Sequence, residues 1–177
     1  MSVRPASAPD AGALAQVAAA TFALACPPHV SAESIETFVR TVLSQERFEE
    51  YLADPARDLF LAENDGAAVG YAMLVTGEPE DPEVRAALSL EPTAELSKIY
   101  VLPQAHGGAV AAELMAAALD AARRRGAAGV WLGVNQLNQR AQKFYSKSGF
   151  ARVGSKRFRV GDRYEDDFVY ELAVGAL

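Results

Sequence analysis

Hydrophobic and polar positions in this chain alternate between a helical rhythm and a strand rhythm. Ile35, Phe38, Val39, Val42 and Leu43 recur at i, i+3, i+4, i+7 and i+8 behind Ser31, a residue type that caps helices, and they predict an amphipathic helix. Before it, Ala8-Pro9-Asp10 offers a helix start for Ala11 to Ala25, and Pro27-Pro28 ends that helix. After it, Gln45 to Ala53 is helical up to Asp54-Pro55. Ser2 to Ala6 reads as a short first strand. Asp58 to Glu63 and Ala67 to Val75 are β-prone runs split by Asn64-Asp65-Gly66, a strong hairpin signal.

Gly77 to Thr93 then breaks the rhythm with Pro79, Pro82 and Pro92 and a run of acids, and it reads as an exposed acidic excursion with a short helix at Glu83 to Leu88. Glu95 to Val101 alternates as a strand. Pro103 and Gly107-Gly108 form a loop, and Ala109 to Arg125 is a helix whose basic last turn suits the negative end of its dipole before Gly126. Gly129 to Val134 is the next strand, so Glu95 to Val134 is a βαβ unit that requires a parallel strand pair. Asn138 to Lys147 is a helix closed by Gly149, and strands near Phe150 to Phe158 and Arg163 to Leu172 finish the chain. No linker or repeat divides it, and residues 1–177 read as one domain.

Composition narrows the function. The 177 residues are 50% hydrophobic and 23% charged, an ordinary globular balance. No apolar run reaches the roughly 18 residues of a membrane span, and Met1 to Ser7 lacks the features of a signal peptide, so no membrane role and a cytoplasmic location are expected. The single Cys26 excludes an internal disulfide and reads as a small buried hydrophobe. His29 and His106 are too few and too far apart to suggest a metal. A net charge of −6 argues against nucleic acid as a partner and favours a cationic one.

Chemistry concentrates where the strand Glu95 to Val101 runs through Leu102-Pro-Gln-Ala-His-Gly-Gly-Ala109 directly into a helix. Successive N–H groups of such a loop and of a free helix start can cradle phosphate oxygens, although Gly107 and Gly108 could equally serve only a tight turn. Neither Gly-x-x-x-x-Gly-Lys-Ser/Thr nor Gly-x-Gly-x-x-Gly is present, which removes the P-loop and the Rossmann readings. Gln104-x-x-Gly107-x-Ala109 resembles the Gln/Arg-x-x-Gly-x-Gly/Ala signature of the GNAT N-acetyltransferase superfamily. Asn138, Ala141 and Tyr145 share one helix face, and Asn138-x-x-Ala141-x-x-Phe144-Tyr145-x-x-x-Gly149-Phe150 is similar to the second GNAT motif in order and spacing.

The resemblance extends more softly to PaiA-type spermidine/spermine N-acetyltransferases through Glu95-x-x-Lys98-Ile99-Tyr100-Val101, Gly129-Val-Trp131-Leu-Gly-Val134 and the tail Gly154 to Asp167. It implies an α+β (α/β) domain, a mixed central sheet of about seven strands flanked by about four helices, with acetyl-CoA bound by the βαβ core. It also implies direct attack of a small-molecule amine, polyamine-like for preference, on the thioester, with no metal. Under it Gln104, His106, Gly107, Gly108, Ala109 and Val110 meet the pyrophosphate. Ile99, Tyr100 and Val101 offer main-chain N–H groups to the carbonyl, and Asn138, Ala141 and Phe144 flank the pantetheine arm, Phe144 also as a core aromatic. Tyr145 protonates the departing thiolate. Glu95 is the candidate base, or else a surface carboxylate paired with Lys98. The loop lacks the usual side-chain cation, since the family's Gly-Lys/Arg-Gly reads Gly107-Gly108-Ala109. Glu78 to Glu91 and Glu165-Asp-Asp167 either steer a cationic acceptor or form a solvated face. A homodimer follows by analogy. The rival readings are an acyl-CoA-binding sensor module without catalysis and an acetyltransferase for protein or peptide amines.

Overall fold

The computed structural model describes residues 1–175. Seven strands form one sheet in the order β1-β2-β3-β4-β5-β7-β6: β1 (Ser2–Pro5), β2 (Arg57–Asn64), β3 (Ala67–Thr76), β4 (Thr93–Val101), β5 (Gly129–Asn135), β6 (Ala151–Val160) and β7 (Arg163–Ala173). All neighbours are antiparallel except β4 and β5, as the βαβ reading requires. Among the described residues six helices accompany the sheet, where the resemblance implies about four: α1 (Ala11–Ala25), α2 (Ala32–Val42), α3 (Gln45–Ala53), α4 (Pro82–Ala87), α5 (Val110–Arg124) and α6 (Gln139–Lys147).

Local chemistry explains the boundaries. Ser31, Ser44 and Asn138 each accept a backbone N–H from the first turn of the helix that follows. The β2-β3 turn places Asp65 at φ 51° and Gly66 at φ 79°, the conformation that Asn-Asp-Gly favours between two strands. Strand alternation divides the core in two. Phe60, Ala62, Ala72 and Leu74 face α5, whereas Leu59, Leu61, Tyr71 and Met73 face α1 to α3.

The segment between β3 and β4 is not the exposed excursion its acids suggest. Val84 of α4 is fully buried against Trp131 and Val169. The Glu171 carboxylate, itself buried, accepts the N–H groups of Ser89 and Leu90 and the Ser89 hydroxyl. A Cβ on Gly154 would stand 2.6 Å from that of Ala87, and one on Gly129 would stand 2.8 Å from that of Leu90, so two bare positions on the sheet let the segment lie down. Its acids stay outside while its apolar residues seal one end of the sheet.

Candidate active site

Parallel strands β4 and β5 pair only at Thr93 with Gly129, Ala94 with Val130 and Glu95 with Trp131. Beyond Glu95 they diverge, and backbone groups of β4 that point towards β5 meet no strand. A cleft of about 740 Å³ occupies the split. Because it passes through the sheet, it is lined from one face by Ala111 of α5 and by Ala141, Phe144 and Tyr145 of α6. From the other face come Glu95, Lys98, Lys156, Glu165 and Asp167.

A β-bulge decides which groups of β4 enter the cleft. Glu95 pairs with Val75, Leu96 with Leu74 and Lys98 with Met73, leaving Ser97 as the extra residue. Glu95, Lys98 and Tyr100 are thereby brought to one face, although a regular strand would separate Glu95 from Lys98. Ile99 and Val101 point to the α5 face. Burial raises the Glu95 pKa, opposed by the positive charges of Lys98, Lys156 and Arg57. Burial lowers Lys98 to about 8 in spite of Glu95. Their ammonium and carboxylate are not within 4.0 Å, so the paired surface carboxylate weighed for Glu95 is not what the structure contains.

Across the cleft, β7 contributes carboxylates at every second position. Glu165 and Asp167 are 7% and 5% exposed, and Asp166 between them faces solvent. Glu165-Asp-Asp167 is therefore neither a solvated face nor a surface patch: two of its three acids are internal. Both oxygens of Glu165 lie 2.9 Å from His29 Nε2, and Oε1 accepts Asn135 Nδ2–H. Asp167 pairs with Lys156 at 3.4 Å, and burial raises its pKa against that ammonium.

Tyr145 packs its ring near Phe150 and Tyr170. Burial drives its hydroxyl pKa far above the ordinary value, so it carries a proton throughout the physiological range. Tyr100 is pushed to about 12 for the same reason. Asn138 uses Oδ1 to cap α6 through Ala141 N–H, which leaves its NH₂ as the group available to a ligand. Between β4 and α5, Gly107 adopts φ 82°, and no N–H from Gly107 through Ala112 donates to a backbone acceptor among the described residues. His106 lies 2.7 Å by Nε2 from the Val101 carbonyl and ties this loop to the end of β4.

Of the residues singled out from sequence, Glu95, Ile99, Tyr100, Val101, His106, Asn138, Ala141, Phe144 and Tyr145 line the main cleft. Gln104, Gly108, Ala109 and Val110, with His106 again, border a second hollow beside Met1 and Asn64. Gly107 borders neither, although it sets the turn between them. Sequence reasoning weighed Glu165 only as part of an acidic cluster, and it missed Lys156 and Arg140, which line the cleft, and His29, which lies against Glu165. Reading β7 with a period of two would have separated Glu165 and Asp167 from Asp166. Among the described residues, no group of three or more His, Cys, Asp or Glu could hold a metal, and no helix is long and apolar enough to cross a membrane.

Known proteins share this arrangement. The chain is 51% identical over 160 residues to an uncharacterised N-acetyltransferase of Mycobacterium tuberculosis, covering 90% of this chain and 95% of that one. It is 28% identical to an uncharacterised N-acetyltransferase of Archaeoglobus fulgidus, over 70% of this chain and 90% of that protein. The fold matches the PaiA N-acetyltransferase of Thermoplasma acidophilum solved with coenzyme A at a TM-score of 0.77 and 21% identity, over 98% and 99% of the two chains. The model of the acetyltransferase (GNAT) family matches residues 21–150. With the split sheet and both motif segments in the family's order, the chain belongs to the GNAT acetyltransferase family and is an acetyltransferase.

Proposed function

We propose that this enzyme transfers the acetyl group of acetyl-CoA to the primary amine of a small cationic acceptor, polyamine-like for preference, by direct attack. The observation that carries the reading is the split between β4 and β5, which has uncommitted main-chain N–H groups at one end and ionisable side chains at the other. The loop from Gln104 and the N–H groups from Gly107 to Ala112 suit a diphosphate, because aligned amides at a helix start attract anions without a side-chain cation. The edge of β4 at Ile99 to Val101 and the Asn138 amide suit the pantetheine arm. Acetyl-CoA, when bound, supplies an activated acetyl thioester.

The chain's own groups supply orientation and proton handling. Main-chain N–H groups near Ile99 to Val101 are oriented to stabilise charge growing on a carbonyl oxygen. Tyr145 holds a proton on its hydroxyl for a departing thiolate, whose conjugate thiol has an ordinary pKa of about 8.5 by analogy with cysteine. Glu95 faces the acceptor end, where its carboxylate attracts an ammonium. Three carboxylates, Glu95, Glu165 and Asp167, stand there against two lysines, Lys98 and Lys156. The three carboxylates offer anionic partners to a cationic acceptor.

The test is thiol release from acetyl-CoA over a panel of monoamines, diamines, polyamines, amino acids and a peptide N-terminus, beside calorimetry with CoA. The reading expects micromolar to millimolar KM values with polyamines or diamines ahead of amino acids. Turnover confined to the peptide would reject it in favour of a protein acetyltransferase. CoA binding without turnover on any amine would reject it altogether.

A further inference from the structure

An ammonium acceptor presents a base with a hard task. Its pKa is near 10.4 and an ordinary glutamate's is about 4.3; burial raises Glu95 above that against the opposing charges of Lys98, Lys156 and Arg57, yet a carboxylate is a weaker proton acceptor than an amine. Proton transfer is most effective when the base titrates near the working pH. The cleft contains another basic group that the preceding scheme leaves idle.

That group is Lys98. The Ser97 bulge turns it to the same face as Glu95 and Tyr100, and it lines the cleft with them. It has no hydrogen-bond or ion-pair partner among the described residues, unlike Lys156, which is engaged with Asp167. The charged groups facing it are Glu95 on its own strand, which favours its ammonium form, and Arg57 of β2, which opposes it. Tyr71 of β3 and Tyr100 are the other titratable groups on this face, and burial keeps both protonated. Lys156 of β6 acts on Glu95.

We propose that Lys98 is the catalytic base that takes the proton from the acceptor's ammonium, with Glu95 holding the lysine ammonium that results. This rests on the amine-acetyltransferase reading above. The acceptor R–NH₃⁺ gives one proton to the Nζ lone pair of Lys98. The freed R–NH₂ forms the N–C bond as the C–S bond breaks, and the CoA sulfur takes a proton from Tyr145. The nitrogen's second surplus proton restores Tyr145, and Lys98 passes its own to water through the cleft. Burial brings Lys98 to about 8, which leaves an appreciable neutral fraction near neutral pH.

Lys98→Arg is the decisive variant, because it preserves the positive charge beside Glu95 and cannot deprotonate. At pH about 7.5 its kcat is expected to fall about 100-fold or more, a typical loss for a missing general base, with acetyl-CoA binding intact. Wild-type kcat should rise with pH through a limb near 8 that Lys98→Arg lacks. A variant within about threefold of wild type, or with the same limb, overturns the assignment and leaves the amine reading standing. A wild type inactive on every amine overturns both. If the variant fails to fold, titration of the Lys98 ammonium in the wild type by nitrogen-15 NMR decides: a midpoint near 8 supports the base, and one near the ordinary 10.4 overturns it.

Discussion

Lys156 Nζ reaches Asp167 Oδ2 at 3.4 Å across the bare Cα of Gly133, where a Cβ would stand 2.5 Å from Lys156 Cε. Gly133 thus makes the room in which a buried ion pair forms beside the cleft. Gly133→Ala is expected to push the lysine off its carboxylate and cost about 1–3 kcal/mol in urea unfolding, the scale for a buried polar group left without its partner. In a Lys156→Ala background the same substitution should cost less than half as much, because the obstructed atoms are gone. Equal costs in the two backgrounds would break the link.

Tyr145→Phe removes a hydroxyl that burial keeps protonated. It is expected to lower kcat about 100-fold with little change in Tm, measured by thiol release and thermal melting. Unchanged turnover would end the role of Tyr145 as proton donor.

Gly107 is left-handed at φ 82°, and nothing lies within 4 Å of a Cβ placed on it. A side chain there collides with nothing, so any effect of Gly107→Val is conformational. The strain of about 1–2 kcal/mol should reshape the loop and raise the Kd for CoA about tenfold by calorimetry. Unaltered affinity would count against the amide cradle.

Under the proposed reading Glu165 stands at the acceptor end, and its loss is expected to reveal charge selection. Glu165→Gln should raise KM for a diamine more than for a monoamine, by about 3- to 10-fold, while kcat stays within about twofold. Equal shifts for the two amines would exclude charge reading at this position.

Asp10 joins the sheet edge to the first helix. It accepts two hydrogen bonds from Arg4 at 2.9 Å and one from Ser7 N–H, and the guanidinium, then the amide, hold its pKa well below the ordinary value. A depressed folded pKa adds stability that is present above the unfolded value near 3.9 and lost as pH falls towards the folded one. Asp10→Asn should therefore flatten the fall of Tm below about pH 4 relative to wild type.

Much of this architecture is written in short-range signals. Asn64-Asp65-Gly66 marks its hairpin because few other residues accept two successive positive φ values. The Asn138, Ala141 and Tyr145 face is visible because helical spacing alone brings them together. The Ser97 bulge is different, since it comes from register against Met73 and Leu74 of another strand. In a regular strand Lys98 would point away from Glu95. The burial of Glu165 and Asp167 likewise depends on Lys156 and His29, which lie 11 and 138 positions from Asp167 in the chain. The acids of Glu78 to Glu91 are conspicuous in the sequence, whereas Glu171, the acid that anchors this segment, lies 80 residues beyond Glu91.

The split between β4 and β5 also has a thermodynamic side. Sheet amides without a strand partner are expected to exchange hydrogen with solvent more readily than paired ones, and the slot between β4 and β5 holds such amides inside the sheet. A molecule that fills the slot adds to folding stability by mass action, about 2.7 kcal/mol at a hundred times its Kd. Cofactor supply thereby becomes a determinant of how long each copy of the enzyme stays folded, and slowed amide exchange along Leu96 to Val101 would register occupancy even when no acetyl group is transferred.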